Sequence, residues 1–218
     1  MKIELFAFDL DGTLLDTAPD FLCAVNILRN NYRFGEVDLE QVRSRVSQGA
    51  ASLASYALNL KGESNQTIES YRQELLDIYQ GCCLKNTKMF DGVGELLDEL
   101  NVKKIKWGII TNKPRRFAEG IVQNKLGKFN PPFLICPDDV GARKPKPDGL
   151  IHALNLSVSK PENSIYIGDH HIDIKAGERA KMRTGAAAYG YIPIDDNVEN
   201  WKADHVFNEA KEIISLIQ

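Results

Sequence analysis

Four aspartates, a threonine and a lysine stand where apolar runs stop or where prolines stiffen a loop. Ile3–Phe8 ends at Asp9, with Asp11 and Gly12 just beyond; Trp107–Ile110 ends at Thr111; Ile165–Ile167 ends, past Gly168, at Asp169, and Asp173 follows. In open parallel sheets ligands bind beyond the carboxyl ends of the strands, so these distant residues are expected at one edge. Asp9 and Asp11 are two apart and lean the same way in extended backbone, and Gly12 lets the chain turn sharply behind them. Carboxylates gathered this closely repel. At an effective dielectric of about 20, two like charges roughly 4 Å apart cost on the order of 4 kcal/mol. A hard cation relieves that cost more simply than several large pKa shifts. Oxygen donors without a thiolate point to magnesium, which keeps waters and shares its ligands with a phosphate.

The remaining groups suit an anion. The Thr111 hydroxyl can donate to a phosphate oxygen, and Asn112-Lys-Pro114 leads into a helix N-terminus whose backbone amides favour anions. Lys144 lies in Arg143-Lys-Pro-Lys-Pro147, where the prolines hold the loop stiff. A lysine fixed there neutralises both a phosphate and Asp9. Arg143 and Lys146 read as solvated charges. His170 and His171 are adjacent and cannot easily share one metal, so neither is expected as a ligand.

The elements that must position these groups are short apolar runs alternating with helical patterns. Strands are expected at Ile3–Phe8, Lys106–Ile110, Phe133–Cys136, Ser164–Ile167, Thr184–Tyr189 and His205–Phe207. Runs apolar on both faces, separated by helices, predict an α/β fold: a Rossmann-like parallel sheet covered on both sides. Val93, Leu96, Leu97 and Leu100 keep a helical spacing. Pro114 suits the first turn of a helix through Ile121 and Val122. Asp148 opens another helix, and Asp173–Met182 a third.

Residues 16–85 differ. They show amphipathic helical spacings (Phe21, Val25, Leu28; Leu53, Tyr56, Ala57, Leu60; Tyr71, Leu75, Ile78, Tyr79) and no convincing strand. The block reads as an all-helical module inserted into an α/β core made of residues 1–15 and 86–218. Gly62 to Asn65 reads as a loop within it, and Arg45–Gly49 as another.

Bulk properties narrow the field. The chain has 218 residues and a formal net charge of -3, so no broad basic surface for nucleic acid is implied. Cys23, Cys82, Cys83 and Cys136 follow no spaced metal pattern and read as reduced thiols. The opening run Met1-Lys-Ile-Glu-Leu-Phe-Ala-Phe8 is too short for a signal sequence, and no segment approaches a membrane span. A cytoplasmic protein is expected, without a membrane or an obligate protein partner.

Asp9-Leu-Asp-Gly-Thr-Leu-Leu-Asp16 resembles the first signature of the haloacid dehalogenase superfamily. Thr111 resembles the second, Lys144 the third and Gly168-Asp-His-His-Ile-Asp173 the fourth, in the same order and across nearly the whole chain. The resemblance implies a phosphatase working on a small phosphorylated metabolite. Asp9 would attack phosphorus and Asp11 would serve as acid and then base. Magnesium would be held by Asp9, the backbone carbonyl of Asp11, and Asp169. Asp173 would support the metal or order Lys144, and Thr111, Asn112 and Lys144 would bind the phosphoryl group. Asp11 favours a phosphatase over the dehalogenase branch, which lacks that acid. The inserted helices resemble the caps that close over such sites.

Asp16-Thr-Ala-Pro-Asp-Phe21 and Thr111-Asn-Lys-Pro114 are similar to bacterial phosphoglycolate phosphatases. Leu134-Ile-Cys-Pro-Asp138 and Tyr189-Gly-Tyr-Ile192 are at least as similar to N-acetylmuramic acid 6-phosphate phosphatases. The expected substrate is that of the first group, with the second as the alternative. A phosphomutase of the β-phosphoglucomutase type shares the nucleophile and cap position. A receiver-like binding module also gathers aspartates and a lysine at strand ends, but needs neither cap nor Asp11.

Overall fold

The apolar run Leu5–Phe8 forms the strand at the centre of the sheet, and everything that positions the site is built on it. The computed structural model describes residues 2–217. Cα packing divides the chain into two compact units, Met1–Asp16 with Met89–Gln218, and Thr17–Lys88.

The first unit holds a six-stranded sheet. Its strands are β1 (Leu5–Phe8), β4 (Lys106–Ile110), β5 (Leu134–Ile135), β6 (Ser164–Gly168), β7 (Arg183–Ala187) and β8 (His205–Phe207), in the order β5-β4-β1-β6-β7-β8. Every pairing is parallel, as the continuous apolar runs demand. Two short strands, β2 (Leu15–Asp16) and β3 (Lys88–Met89), form a separate pair. From β1 the chain builds outward through β4 and β5, then returns through β6 to the other side. The order therefore reverses around β1, and this topological switch point is where an open sheet offers a crevice.

Helices α5 (Val93–Val102), α6 (Arg115–Leu126), α7 (Pro137–Val140), α8 (Asp148–Ser157) and α9 (His171–Arg179) complete this unit. On one face Leu5, Ala7, Ile110, Leu150, Ala153 and Tyr166 belong to one buried cluster. Burying each large aliphatic side chain contributes about 1.5–3 kcal/mol.

Several boundaries shift from those expected. β1 starts at Leu5, not Ile3. β7 ends at Ala187, because Gly190 N–H turns back to the Ala187 carbonyl at 3.0 Å. Tyr189 therefore belongs to a loop. Helix α9 starts at His171, because His170 caps it and Asp173 completes a capping box. Pro114 caps α6 from outside rather than occupying its first turn.

The second unit contains α1 (Ala18–Asn31), α2 (Leu39–Val46), α3 (Ala50–Leu58) and α4 (Asn65–Cys82). The buried Asp20 carboxylate anchors its end, accepting Asn86 N–H at 2.7 Å and the Thr87 hydroxyl at 2.6 Å. Phe21 stacks on Tyr79 with centroids 4.1 Å apart. Ser64 caps α4, so the loop at Gly62 ends there. Arg45 lies over the Tyr56 ring at 4.1 Å and donates to the Gln41 carbonyl at 2.6 Å. No helix among the described residues is long and apolar enough to cross a membrane.

Candidate active site

The strand register brings the chemistry-bearing residues together. Phe8 pairs with Ile109 on one side and Ile167 on the other, so all three strands stop at the same edge. Asp9 N–H donates to the Ile167 carbonyl at 2.9 Å, and Thr111 N–H to the Ile135 carbonyl at 3.0 Å. The carboxylates of Asp9, Asp169 and Asp173 emerge beyond them, all buried, with oxygens within 4.8 Å of one another.

Lys144 enters this group from the loop before α8. Its Nζ is 2.8 Å from Asp9 Oδ1 and 2.6 Å from Asp173 Oδ1, with both lysine and Asp173 buried. Asn112 fixes the loop: its Oδ1 accepts Lys144 N–H at 2.8 Å and its Nδ2 donates to the Lys144 carbonyl at 3.1 Å. The side chain expected to meet phosphate is thus engaged on both sides of the Lys144 backbone. Burial pushes the Asp9 carboxyl up to about 7; Lys144 opposes that rise, and Asp173 and Asp11 add to it. Burial also works against the Lys144 charge, but Asp173 and Asp9 outweigh it and hold the ammonium protonated far into the alkaline range.

Asp169 is held from two sides, with Thr13 Oγ1 donating to Oδ1 at 3.1 Å and Tyr191 N–H to Oδ2 at 3.0 Å. Both approaches depend on glycine. Gly12 has φ +82°, and a Cβ there would sit 2.1 Å from Asp169 Oδ2. A Cβ on Gly190 would lie 2.2 Å from the Gly12 carbonyl oxygen and 2.4 Å from Asp169 Cβ. Tyr189 and Tyr191 secure the same loop, donating to the Thr13 carbonyl at 3.0 Å and to Asp16 Oδ1 at 2.7 Å.

Asp173 has two tasks: one oxygen meets Lys144, and the other accepts His170 N–H at 3.1 Å. His170 Nδ1 accepts Ile172 N–H at 3.3 Å. Burial pushes its pKa down to about 4, so the ring is neutral at pH 7. His171 is 3.7 Å from Asp196.

Asp11 departs from Asp9. Extended backbone stops at Phe8 and the chain turns at Gly12, so the two acids meet different lysines. Lys113 Nζ lies 3.0 Å from Asp11 Oδ1. This buried lysine escaped the sequence reading, where it served only as the entry to a helix. Its one signal is a charge three residues after the end of β4. Lys113 N–H donates to Thr111 Oγ1 at 3.2 Å, which leaves the threonine hydroxyl hydrogen to donate elsewhere.

The sequence profile of the haloacid dehalogenase-like hydrolases matches residues 6–187. The chain belongs to this family. An N-acetylmuramic acid 6-phosphate phosphatase from Pseudomonas aeruginosa is 38% identical over 217 residues, covering 100% of this chain and 96% of the relative. A phosphoglycolate phosphatase from Xanthomonas campestris pv. campestris is 32% identical over 207 residues, covering 94% and 92%. The fold matches that of a predicted phosphoglycolate phosphatase from Haemophilus somnus with a TM-score of 0.88 and 20% identity, over 100% of this chain and 99% of the other. In this haloacid dehalogenase-like hydrolase, the four signature stretches converge at the edge beyond β1, β4 and β6. What the array offers chemically is a carboxylate beside an ammonium, a second acid–amine pair, and an oxygen-only cluster.

Proposed function

We propose that this chain is a magnesium-dependent phosphomonoesterase that carries the phosphoryl group of a small metabolite on Asp9. The observation that supports it best is Lys144, buried between Asp9 at 2.8 Å and Asp173 at 2.6 Å, at the edge shared with Asp169 and Thr111.

The donor chemistry fits a divalent cation. When ionised together, the three carboxylates and the one ammonium carry two net negative charges, which such a cation balances. Asp9 Oδ1 is buried, and among the described residues it is met by the Lys144 ammonium at 2.8 Å and by no other donor. Asp9, Asp169 and the backbone carbonyl of Asp11 would hold the ion, with Asp173 supporting. When bound, magnesium shields the charge of the attacking carboxylate and of the phosphate.

The chain's own groups carry the steps. An oxygen of Asp9 bonds to phosphorus as the ester P–O bond breaks, and Asp11 gives its proton to the departing oxygen. Asp11 then takes a proton from water as that water bonds to phosphorus. The bond from phosphorus to Asp9 breaks, releasing inorganic phosphate and restoring the carboxylate. Lys144 and Thr111 hold the phosphoryl oxygens throughout. The helical unit Thr17–Lys88 would act as the cap that selects the substrate. The proposed setting is cytoplasmic, where the cysteines, which form no disulfide, stay reduced.

Identity of 38% over the whole chain favours N-acetylmuramic acid 6-phosphate as substrate. The 32% relative keeps 2-phosphoglycolate as the second reading. Phosphate release from both compounds and a set of hexose phosphates decides between them. Turnover of N-acetylmuramic acid 6-phosphate well above the others supports the first reading, and preference for 2-phosphoglycolate installs the second. Isomerisation of a hexose 1-phosphate without phosphate release replaces the hydrolase with a phosphomutase. Inertness toward every compound, including an aryl phosphate, leaves a binding module.

A further inference from the structure

We infer that Tyr166 is a positioning residue for Lys144, an inference that rests on the phosphatase reading above. Tyr166 lies in β6, wholly buried, and its ring belongs to the apolar cluster of Leu5, Ala7 and Ile110. Packing alone would be met by phenylalanine. The hydroxyl is therefore the part that requires an account.

That hydroxyl sits at a junction. It donates to the Ile110 carbonyl at 2.8 Å, at the end of β4, and lies 3.3 Å from Asp173 Oδ1. With its hydrogen committed there, the oxygen turns a lone pair to Lys144, whose Nζ donates to it at 2.8 Å. The Lys144 ammonium has three hydrogens and faces three close oxygens, those of Asp9, Asp173 and Tyr166. The Ile110 carbonyl, at 3.5 Å, is more distant.

Of the three close acceptors, Tyr166 is the neutral one. A third carboxylate would hold the ammonium equally well but would draw its charge away from Asp9 and from a bound phosphate. The phenol fixes the direction of Lys144 without that competition. Burial raises the Tyr166 hydroxyl well above its ordinary range, with Asp173 and Asp9 adding to the rise, so it stays neutral.

The test compares Tyr166→Phe, Lys144→Met and the double variant for phosphate release, together with their melting temperatures. Leaving a buried donor short of an acceptor predicts a fall in kcat of about tenfold for Tyr166→Phe, with KM within about threefold. In the Lys144→Met background the same change should cost no further activity, because the hydroxyl acts through the lysine. Wild-type kcat in Tyr166→Phe would overturn the inference, and so would losses that multiply in the double variant. A wild-type protein that releases no phosphate would remove the phosphatase reading itself, a distinct outcome. If Tyr166→Phe does not fold, 3-fluorotyrosine at position 166 keeps ring and hydroxyl but weakens the acceptor. Reduced turnover there supports the role, and unchanged turnover ends it.

Discussion

Lys113 Nζ lies 3.0 Å from Asp11 Oδ1, and the side chains are 4% and 14% exposed. A second acid–amine pair thus stands beside Asp9 and Lys144. A charge-assisted hydrogen bond of this kind is worth about 1.5–3 kcal/mol. Lys113→Met should lower kcat/KM by about tenfold or more, while Lys113→Arg, which keeps the charge, should retain more activity. In an Asp11→Asn background, Lys113→Met should add little. Steady-state kinetics on the four proteins checks this. A Lys113→Met enzyme within about threefold of wild type would mean that Lys113 does not aim Asp11.

Asp9→Asn should abolish turnover while keeping the fold, because a neutral amide is a poor nucleophile. The pKa shift gives this variant a second signature. The folded-state value is raised from 3.8 to about 7, chiefly by burial, so the folded protein binds the Asp9 proton more tightly than the unfolded chain. Stability from this group is therefore full below about pH 4 and falls as pH rises toward 7. Asparagine stays neutral throughout. In chelator, the melting temperature of Asp9→Asn should gain on wild type between pH 4 and pH 7. Parallel profiles, or activity in the variant, would count against the role of Asp9.

The residues at the sheet edge were legible because a buried parallel strand is a continuous apolar run, so the first polar residue after it marks that edge. Asp9, Thr111 and Asp169 are all found that way. What stayed hidden depends on distance in sequence or on disguise. Lys113 meets Asp11 across 102 residues, and no local spacing encodes that pair. Tyr166 looks like one more apolar strand residue, since nothing around it reveals where its hydroxyl points. Asn112 follows Thr111, a place that suggests phosphate, and no local spacing shows that its amide also holds the Lys144 backbone. Tyr189 continued an apolar run and so read as strand, whereas the turn at Gly190 bends the chain back to Asp169.

Chelation should silence the enzyme, and magnesium should restore it. Because the ion would bind the folded site alone, saturating magnesium should also raise the melting temperature. At about 100 times Kd the gain is about 2.7 kcal/mol. Asp169→Asn should lose that shift, since its carboxylate belongs to the buried cluster. Full activity after exhaustive chelation, or an equal thermal shift in Asp169→Asn, would contradict the assignment.

His170 offers a prediction on the acid side. Its folded-state pKa is lowered from 6.5 to about 4, mainly by burial, with His171 and Lys144 pushing the same way against Asp173 and Asp196. The folded protein therefore resists protonating a ring that the unfolded chain protonates readily. The stability is fully present above pH 6.5 and is lost as pH falls toward 4. His170→Asn should keep a cap on α9, because asparagine is among the best N-cap residues. It carries no titrating group, so its melting temperature should fall less steeply than that of wild type between pH 6.5 and pH 4. Thermal unfolding across that window in chelator isolates the effect from metal binding. Equal slopes would show that other groups govern acid unfolding, and a variant destabilised equally at every pH would point to lost packing instead.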